Sequence, residues 1–173
     1  MKIAIAGAHR VGKTTLTEEL LEHLPEYELK AEPYYELEEA GYLFAEKPDV
    51  DDFIKQFEYA VKHISTSGPA TIFDRCPIDM LAYIHAIDPA RSLEALFEKA
   101  YTSISEIDLL VLVPIEEPDL ILCEKSDFPK LRRLVDEILH DWMGDFDVQM
   151  IEVSGSLLNR RAQVLKKMSE IMK

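Results

Sequence analysis

The sequence predicts an α/β fold in which a five-stranded parallel sheet carries helices on both faces. Short apolar runs alternate along the chain with longer segments whose apolar residues recur at helical spacing. Strands that alternate with helices in this way form parallel sheets that are covered on both sides. The 173 residues contain neither an internal repeat nor a dividing linker, so we expect one domain over residues 1–173.

The apolar runs predict strands at residues 2–6, 27–31, 69–73, 109–113 and 148–153. The first helix is indicated by Leu16, Leu20 and Leu24. Further helices are expected at residues 34–62, with a break near Pro48, and at 78–86, 92–105, 131–142 and 156–172. After the break, the side chain of Asp49, Asp51 or Asp52 can cap the second piece.

The composition restricts the class of partner. The formal net charge of −14 disfavours nucleic acid, because phosphate backbones are bound by basic surfaces. The apolar runs fall short of the ~20 residues that a membrane span needs, and the N-terminus lacks the form of a secretory signal. Cys76 and Cys123 form neither a zinc spacing nor a disulfide framework. We therefore expect a cytoplasmic protein with no nucleic-acid or membrane partner. The oligomeric state stays open, with a homodimer as one option.

Residues 7–14, GAHRVGKT, match the phosphate-binding loop pattern G-x-x-x-x-G-K-[ST] between a predicted strand and a predicted helix. The glycines allow a tight turn whose N–H groups surround phosphate oxygens, and the helix N-terminus faces the same anion. Lys13 supplies a charge for the β- and γ-phosphates, and the Thr14 hydroxyl is placed to ligate Mg²⁺. The motif predicts a three-layer P-loop NTPase fold. Its expected ATP or GTP site comprises Gly7, His9, Arg10, Val11, Gly12, Lys13, Thr14 and Thr15.

Four motifs, GAHRVGKTT, KAEPYYEL, DFIKQFEYA and TIFDRCPIDMLAY, resemble in order and spacing those of the P-loop nucleoside and nucleotide kinases. The Glu-Pro pair and the Gln beside a Phe are most similar to deoxynucleoside kinases. The Asp-Arg pair is also similar to thymidylate kinases. FDRCPIDMLAY and VSGSLLNRR resemble a group of small P-loop proteins that includes ribosylnicotinamide kinases.

The resemblance implies roles for three residues that follow predicted strands, at the edge of the sheet where ligands bind. Glu32 would be the base that accepts the proton of the acceptor hydroxyl. Asp74 would stand at the Mg²⁺ ion, directly or through water. Arg75 would contact the acceptor hydroxyl or phosphate and stabilise charge as it develops.

Aromatic residues concentrate between the second and third predicted strands, where kinases of this kind hold the acceptor. An aromatic cleft suits a flat base or pyridine ring. Phe53 and Phe57 are four residues apart and can share a helix face, with the Gln56 amide beside them to read a base edge. Tyr35 completes the expected acceptor set of Glu32, Tyr35, Phe53, Gln56, Phe57 and Arg75. Ordinary core packing is the alternative for each aromatic.

The lid-like segment, about residues 115–133, departs from the kinase pattern. Nucleoside kinases usually carry several arginines there, yet residues 114–128 contain none. Helical periodicity puts Arg132 beside the apolar stripe of its helix and Arg133 opposite to it. Arg132 is thus the candidate to reach the catalytic site, the alternative being a solvent-facing ion pair. Residues 154–156 are expected near an adenine, with Arg160 or Arg161, unless they only cap the last helix.

These features predict a phosphotransferase that uses ATP and Mg²⁺ to phosphorylate a hydroxyl of a nucleoside-like small molecule. The same reaction on nicotinamide riboside or on a nucleoside monophosphate is an alternative. A P-loop ATPase or nucleotide sensor without a small-molecule acceptor is another. The lid without arginines favours it, whereas Glu32 with Asp74 and Arg75 favours the kinase. The sequence leaves the acceptor and the choice between ATP and GTP open.

Overall fold

The computed structural model describes residues 1–119 and 124–173, and its sheet confirms the predicted α/β class. The described strands are β1 (Lys2–Ala6), β2 (Glu28–Lys30), β3 (Thr71–Asp74), β4 (Leu109–Leu112) and β5 (Met150–Glu152). All pair in parallel, in the order β2-β3-β1-β4-β5. The central strand β1 pairs Ile3 with Ile72 on one side and with Leu109 on the other.

The central strands agree with the prediction to different degrees. Strand β1 has the expected bounds, and β4, a buried and continuous apolar run, is one residue shorter than expected. Strand β3 is also buried throughout, but it begins two residues later than expected and ends at Asp74. The edge strands β2 and β5 are partly exposed, and each has only three residues, fewer than expected. A strand with one neighbour loses pairing at its ends first, so the apolar pattern overestimates its length.

The described helices are α1 (Lys13–His23), α2 (Pro33–Glu39), α3 (Val50–Thr66), α4 (Pro77–Ile87), α5 (Glu94–Ile104), α6 (Pro129–Trp142) and α7 (Leu157–Ile171). Short 3₁₀ turns lie at Lys125–Asp127 and Met143–Asp145. Helix α1 packs against α7, whereas α4 packs against α3, α5 and α6. The two groups cover the two faces of the sheet. None of the described helices is long and apolar enough to cross a membrane.

The expected helical region at 34–62 needs correction, because residues 40–49 between α2 and α3 are not helical. Gly41 adopts a left-handed φ of 88° directly after the end of α2, which stops the helix earlier than Pro48 would. The second piece begins where expected. The Asp49 side chain caps α3 by accepting a hydrogen bond from the backbone N–H of Asp51, 2.9 Å away.

Candidate active site

The phosphate loop joins the C-terminal end of β1 to the N-terminus of α1. Gly7 has φ 151°, and a Cβ atom there would lie 2.4 Å from the carbonyl oxygen of Val113. Gly12, with φ 92°, directly precedes α1. Both positions therefore require glycine, and the turn brings the helix N-terminus to the edge of the sheet.

Three cations hold the carbonyl groups of this loop. Lys13 Nζ donates to the carbonyl of Ala8 at 2.6 Å. Arg132 Nε donates to the carbonyl of His9 at 2.9 Å, and Arg160 Nη1 donates to that of Val11 at 2.8 Å. Across a trans peptide, a carbonyl and the next N–H point in opposite directions. The N–H groups of residues 10 and 12 are thereby turned away from the two arginines.

The Lys13 ammonium is buried, with 4% of the residue exposed. Burial, together with the nearby charge of Arg75, lowers its pKa to about 8, while the carboxylates of Asp79, Glu32 and Asp74 oppose the shift. Within the described part of the chain its hydrogen bond is to a neutral carbonyl, which compensates the buried charge incompletely. The buried ammonium of Lys13 therefore favours the binding of an anionic ligand.

Asp74 and Thr14 meet beside the loop. The Thr14 hydroxyl donates to Oδ2 of Asp74 at 2.6 Å. Among the residues that the structure describes, the buried Oδ1 of Asp74 finds no hydrogen-bond partner. Burial raises the pKa of Asp74, although the Thr14 bond and the Lys13 charge oppose the rise.

An oxygen donor pair with an unpartnered carboxylate atom fits Mg²⁺, which binds through few protein oxygens and completes its shell with phosphate and water. The described residues contain no cluster of three or more histidine, cysteine or acidic side chains able to hold a metal alone. Thr14 and Asp74 therefore suit a nucleotide-bound ion rather than a closed metal site.

Glu32 and Arg75 form a close ion pair across the ends of β2 and β3. Oε1 of Glu32 lies 2.6 Å from Nε of Arg75, without an aligned hydrogen bond. Arg75 is 8% exposed and has a left-handed φ of 79° directly after β3. Burial would lower the pKa of Arg75, but the charges of Glu32, Tyr83 and Asp79 raise it above its ordinary value. The guanidinium thus stays charged at the cavity wall.

A cavity of about 370 Å³ opens beside this ion pair. Its aromatic walls contain two stacked pairs. Phe53 stacks on Tyr83, with ring centroids 4.5 Å apart, and Tyr34 stacks on Phe44 at 4.2 Å. Gln56, which is 4% exposed, also lines the cavity and donates from Nε2 to the backbone carbonyl of Asp52 at 3.3 Å. The volume and lining suit a small molecule with a flat ring.

The structure gathers four of the six expected acceptor residues around this cavity, namely Glu32, Phe53, Gln56 and Arg75. Phe57 lies one turn beyond Phe53 and is fully buried in the core, away from the lining. Tyr35 is 55% exposed, and its neighbour Tyr34 lines the cavity instead. One residue turns a helix by about 100°, so the two tyrosines of α2 must face different directions.

Arg132 lies on the inner side of α6, as its periodicity predicts, and is only 2% exposed. Its guanidinium pairs with Asp119 and holds the carbonyl of His9, so the alternative of a solvent-facing ion pair is wrong. Arg133 is exposed. Part of the lid-like segment, residues 120–123 with Cys123, lies outside the described residues.

Helix capping accounts for Ser156, whose hydroxyl accepts from the N–H of Asn159 at 3.3 Å at the start of α7. Arg160 is the member of the expected pair that turns toward the phosphate loop, and it also donates to the carbonyl of Gly155 at 3.0 Å. Arg161 instead pairs with Glu19 of α1.

Three residues that sequence reasoning missed complete the site. Asp79 accepts from the N–H of Gly7 at 2.8 Å and ties the loop to the start of α4. The sequence feature that could have indicated Asp79 is an acidic residue at the third position of a helix that begins with proline. Tyr83 lies one turn further along the same face, whereas Asp127, which pairs with Arg10, carried no local signal.

Comparison with family models matches residues 2–161 to a family described as "AAA domain". The chain belongs to this family. The match spans the phosphate loop and every strand of the described sheet. Comparison with curated protein sequences gives no match.

Solved structures of nucleoside and nucleotide kinases share the fold. Deoxyadenosine kinase from M. mycoides with dCMP and dCDP bound aligns at TM-score 0.64 and 16% identity, covering 99% of this chain and 100% of that one. Thymidylate kinase from Ehrlichia chaffeensis aligns at 0.66 and 16%, covering 98% of each chain. NadR in complex with NR aligns at 0.71 and 17%, covering 98% of this chain and 50% of that one. The resemblance to P-loop kinases is thus confirmed at the level of the fold.

Proposed function

We propose that this protein transfers the γ-phosphoryl group of ATP to a hydroxyl of a nucleoside-like small molecule, with Mg²⁺. The observation that carries the proposal is the position of the Glu32–Arg75 pair. It lines an aromatic cavity at the same sheet edge as the phosphate loop, so an acceptor and a triphosphate can meet there. A protein that only hydrolyses or senses nucleotide needs no such second cavity.

The phosphate side of the reaction uses the loop and its neighbours. Lys13 exchanges the carbonyl of Ala8 for phosphate oxygens, which stabilises its buried charge. Thr14 and Asp74 would hold Mg²⁺, with Oδ1 of Asp74 as the unpartnered donor. The ion supplies positive charge to the phosphate oxygens as negative charge develops on them.

The acceptor side uses the ion pair. Glu32 orients the acceptor hydroxyl and receives its proton, a role for which a carboxylate must be held in place. The Arg75 guanidinium, 2.6 Å away, holds it. Arg75 is also close enough to the cavity to stabilise the charge that moves onto the transferred group.

The charges of the cavity favour an acceptor without a phosphate group. The lining includes five carboxylates, of Glu32, Glu46, Asp49, Asp52 and Asp127, and three cations, of Arg10, Lys47 and Arg75. Two of the cations are already paired with carboxylates of the lining. A monophosphate would therefore meet an excess of negative charge, whereas an uncharged nucleoside or one with a cationic pyridine ring would not.

Single-turnover transfer of labelled γ-phosphate to a panel of nucleosides, nicotinamide riboside and nucleoside monophosphates tests the proposal. Glu32→Gln keeps the size of the side chain and its capacity to form hydrogen bonds but cannot take the proton, so we expect ATP binding to survive and transfer to fall roughly 10²–10⁴-fold. Glu39→Gln, an exposed change at the end of the helix that follows Glu32, is the matched control. Equal rates in Glu32→Gln and wild type would refute the role of Glu32. ATP consumption that is indifferent to the whole panel would instead indicate an ATPase.

A further inference from the structure

The His9 side chain leaves the phosphate loop and joins the acceptor cavity. Its Nδ1 lies 2.8 Å from the hydroxyl oxygen of Tyr83, and its Nε2 lies 2.5 Å from the backbone oxygen of Asp127. Both ring nitrogens are therefore engaged by protein groups. A histidine in a phosphate loop would be expected to face the nucleotide, but this one connects two parts of the wall that faces the acceptor.

The hydrogen bonds assign the protons of this network. The backbone N–H of His9 donates to the Tyr83 hydroxyl oxygen at 2.8 Å, so the phenol proton is free to bond Nδ1. Nε2 then carries the imidazole proton and donates it to the carbonyl of Asp127. The neutral Nε2–H tautomer satisfies each bond. Burial, with the charges of Arg75, Lys13 and Arg132, lowers the pKa of His9 and favours this neutral form, although the bond to Asp127 opposes the shift.

Tyr83 extends the network to the residues that would hold the acceptor. Its ring stacks on Phe53 with an interplanar angle of 5°, and the guanidinium carbon of Arg75 lies 5.4 Å from its centroid. On the other side of the imidazole, Asp127 lies between Ser126 and Phe128, and all three line the cavity. The His9 imidazole thus connects both Tyr83 and Asp127 to the phosphate loop.

We propose that His9 is a positioning residue for the acceptor, acting through Tyr83 and Asp127. It sets the position of the ring-binding wall relative to the phosphate loop, and hence how well the acceptor is held beside that loop. It makes no contact with ATP through its side chain. This role rests on the proposed kinase function and assigns to His9 the acceptor side of that reaction.

Variants of His9 can separate the contribution of its hydrogen bond to Tyr83 from that of its hydrogen bond to Asp127. His9→Asn places an amide oxygen near the Nδ1 position and keeps an acceptor for Tyr83, whereas His9→Gln places an amide N–H near the Nε2 position and keeps a donor for Asp127. His9→Ala loses both. Tyr83→Phe removes the hydroxyl but keeps the stack on Phe53, and His23→Ala, an exposed change on α1, is the control.

Steady-state kinetics with the best acceptor, together with thermal unfolding, measure the outcome. We expect the acceptor KM to rise about tenfold in His9→Ala, as two lost hydrogen bonds would produce, and less in His9→Asn and His9→Gln. Tyr83→Phe should raise the same KM, while the ATP KM and the control stay at wild-type values.

Two results would refute the positioning role of His9 and leave the proposed kinase function intact. One is an unchanged acceptor KM in His9→Ala and Tyr83→Phe, and the other is an equal rise in both KM values, which would assign His9 to the nucleotide. If wild type transfers phosphate to no member of the panel, the proposed function fails and this role fails with it. Wild-type transfer therefore distinguishes the two failures.

Discussion

The phosphate loop and the acceptor cavity are built in different ways. The loop is one contiguous segment, residues 7–14, whose shape follows from two glycines and a helix start. The cavity takes its walls from residues 9–10 of that loop and from the segments around residues 32–34, 44–56, 75–83 and 126–131. A contiguous motif carries its chemistry in its own residue order, whereas a cavity assembled from distant segments does not. For this reason the nucleotide site is clear from the sequence and the acceptor is not.

Even the contiguous loop depends on distant residues. Arg132 and Arg160 hold the carbonyls of His9 and Val11, although they follow those residues by 123 and 149 positions. The loop motif predicts which groups would face the phosphates, and the two arginines stabilise that arrangement of the loop. Arg132, the expected lid arginine, thus supports the loop. In the proposed reaction this leaves Lys13 to meet the triphosphate, while Arg75 faces the transferred group.

The largest effect is expected from a change in the loop. Lys13→Ala removes the buried ammonium and should weaken ATP binding roughly 10²- to 10³-fold, the scale of losing one partner of a buried charge pair. The free energy of unfolding should change little, because the hydrogen bond of the Lys13 ammonium among residues 1–119 and 124–173 is to the carbonyl of Ala8. Calorimetric titration with ATP, beside the exposed control Lys62→Ala, measures the loss. Unchanged affinity would refute the assignment of the loop.

A change in the cavity should leave ATP binding intact and reduce transfer. Arg75→Ala removes the partner of Glu32, and we expect transfer to fall roughly 10²-fold. Arg75→Lys should restore little of it, because a lysine cannot reproduce the planar guanidinium over the Tyr83 ring. Single-turnover rates and ATP affinity are measured for both variants. Full transfer in Arg75→Lys would show that net charge alone matters there.

A change at Asp74, which bonds Thr14 beside the phosphate loop, should raise the concentration of Mg²⁺ that activity requires. Asp74→Asn keeps the shape of the side chain but removes the carboxylate charge, so we expect about a tenfold higher Mg²⁺ concentration for half-maximal activity. Thr14→Ala should act in the same direction. Magnesium titrations of the transfer rate measure both. Coincident curves for wild type and Asp74→Asn would exclude Asp74 from the metal site.

The smallest effect is expected from pH. Burial and Arg75 lower the pKa of Lys13 to about 8 in the free protein. The charged form binds phosphate and prevails below this pKa, so ATP affinity should be full near pH 7 and fall several-fold as the pH rises to 9. Calorimetric titration at several pH values measures this, with Lys13→Ala as the control that should lack the dependence. A flat profile in wild type would contradict it.

Particular residues show which features of the site can be predicted from the sequence and which cannot. Periodicity alone separates Arg132 from Arg133, because a helix face follows from residue spacing. It does not separate Phe53 from Phe57, which share a face of α3 and differ in what packs over them. The concentration of aromatic residues does not separate Tyr34 from Tyr35 either, since the direction in which a two-turn helix presents each residue depends on where the chain enters and leaves it.

By itself, the sequence determined the α/β class, the phosphate loop and the strand ends that deliver Glu32, Asp74 and Arg75. These follow from local physics, namely apolar periodicity, glycine geometry and the order of strands and helices. Only the tertiary structure decided the partners of His9 and Arg132, such as the His9–Asp127 and Arg132–His9 bonds, which span 118 and 123 residues. Such contacts depend on how helices pack over the sheet, and residue order does not encode that packing locally.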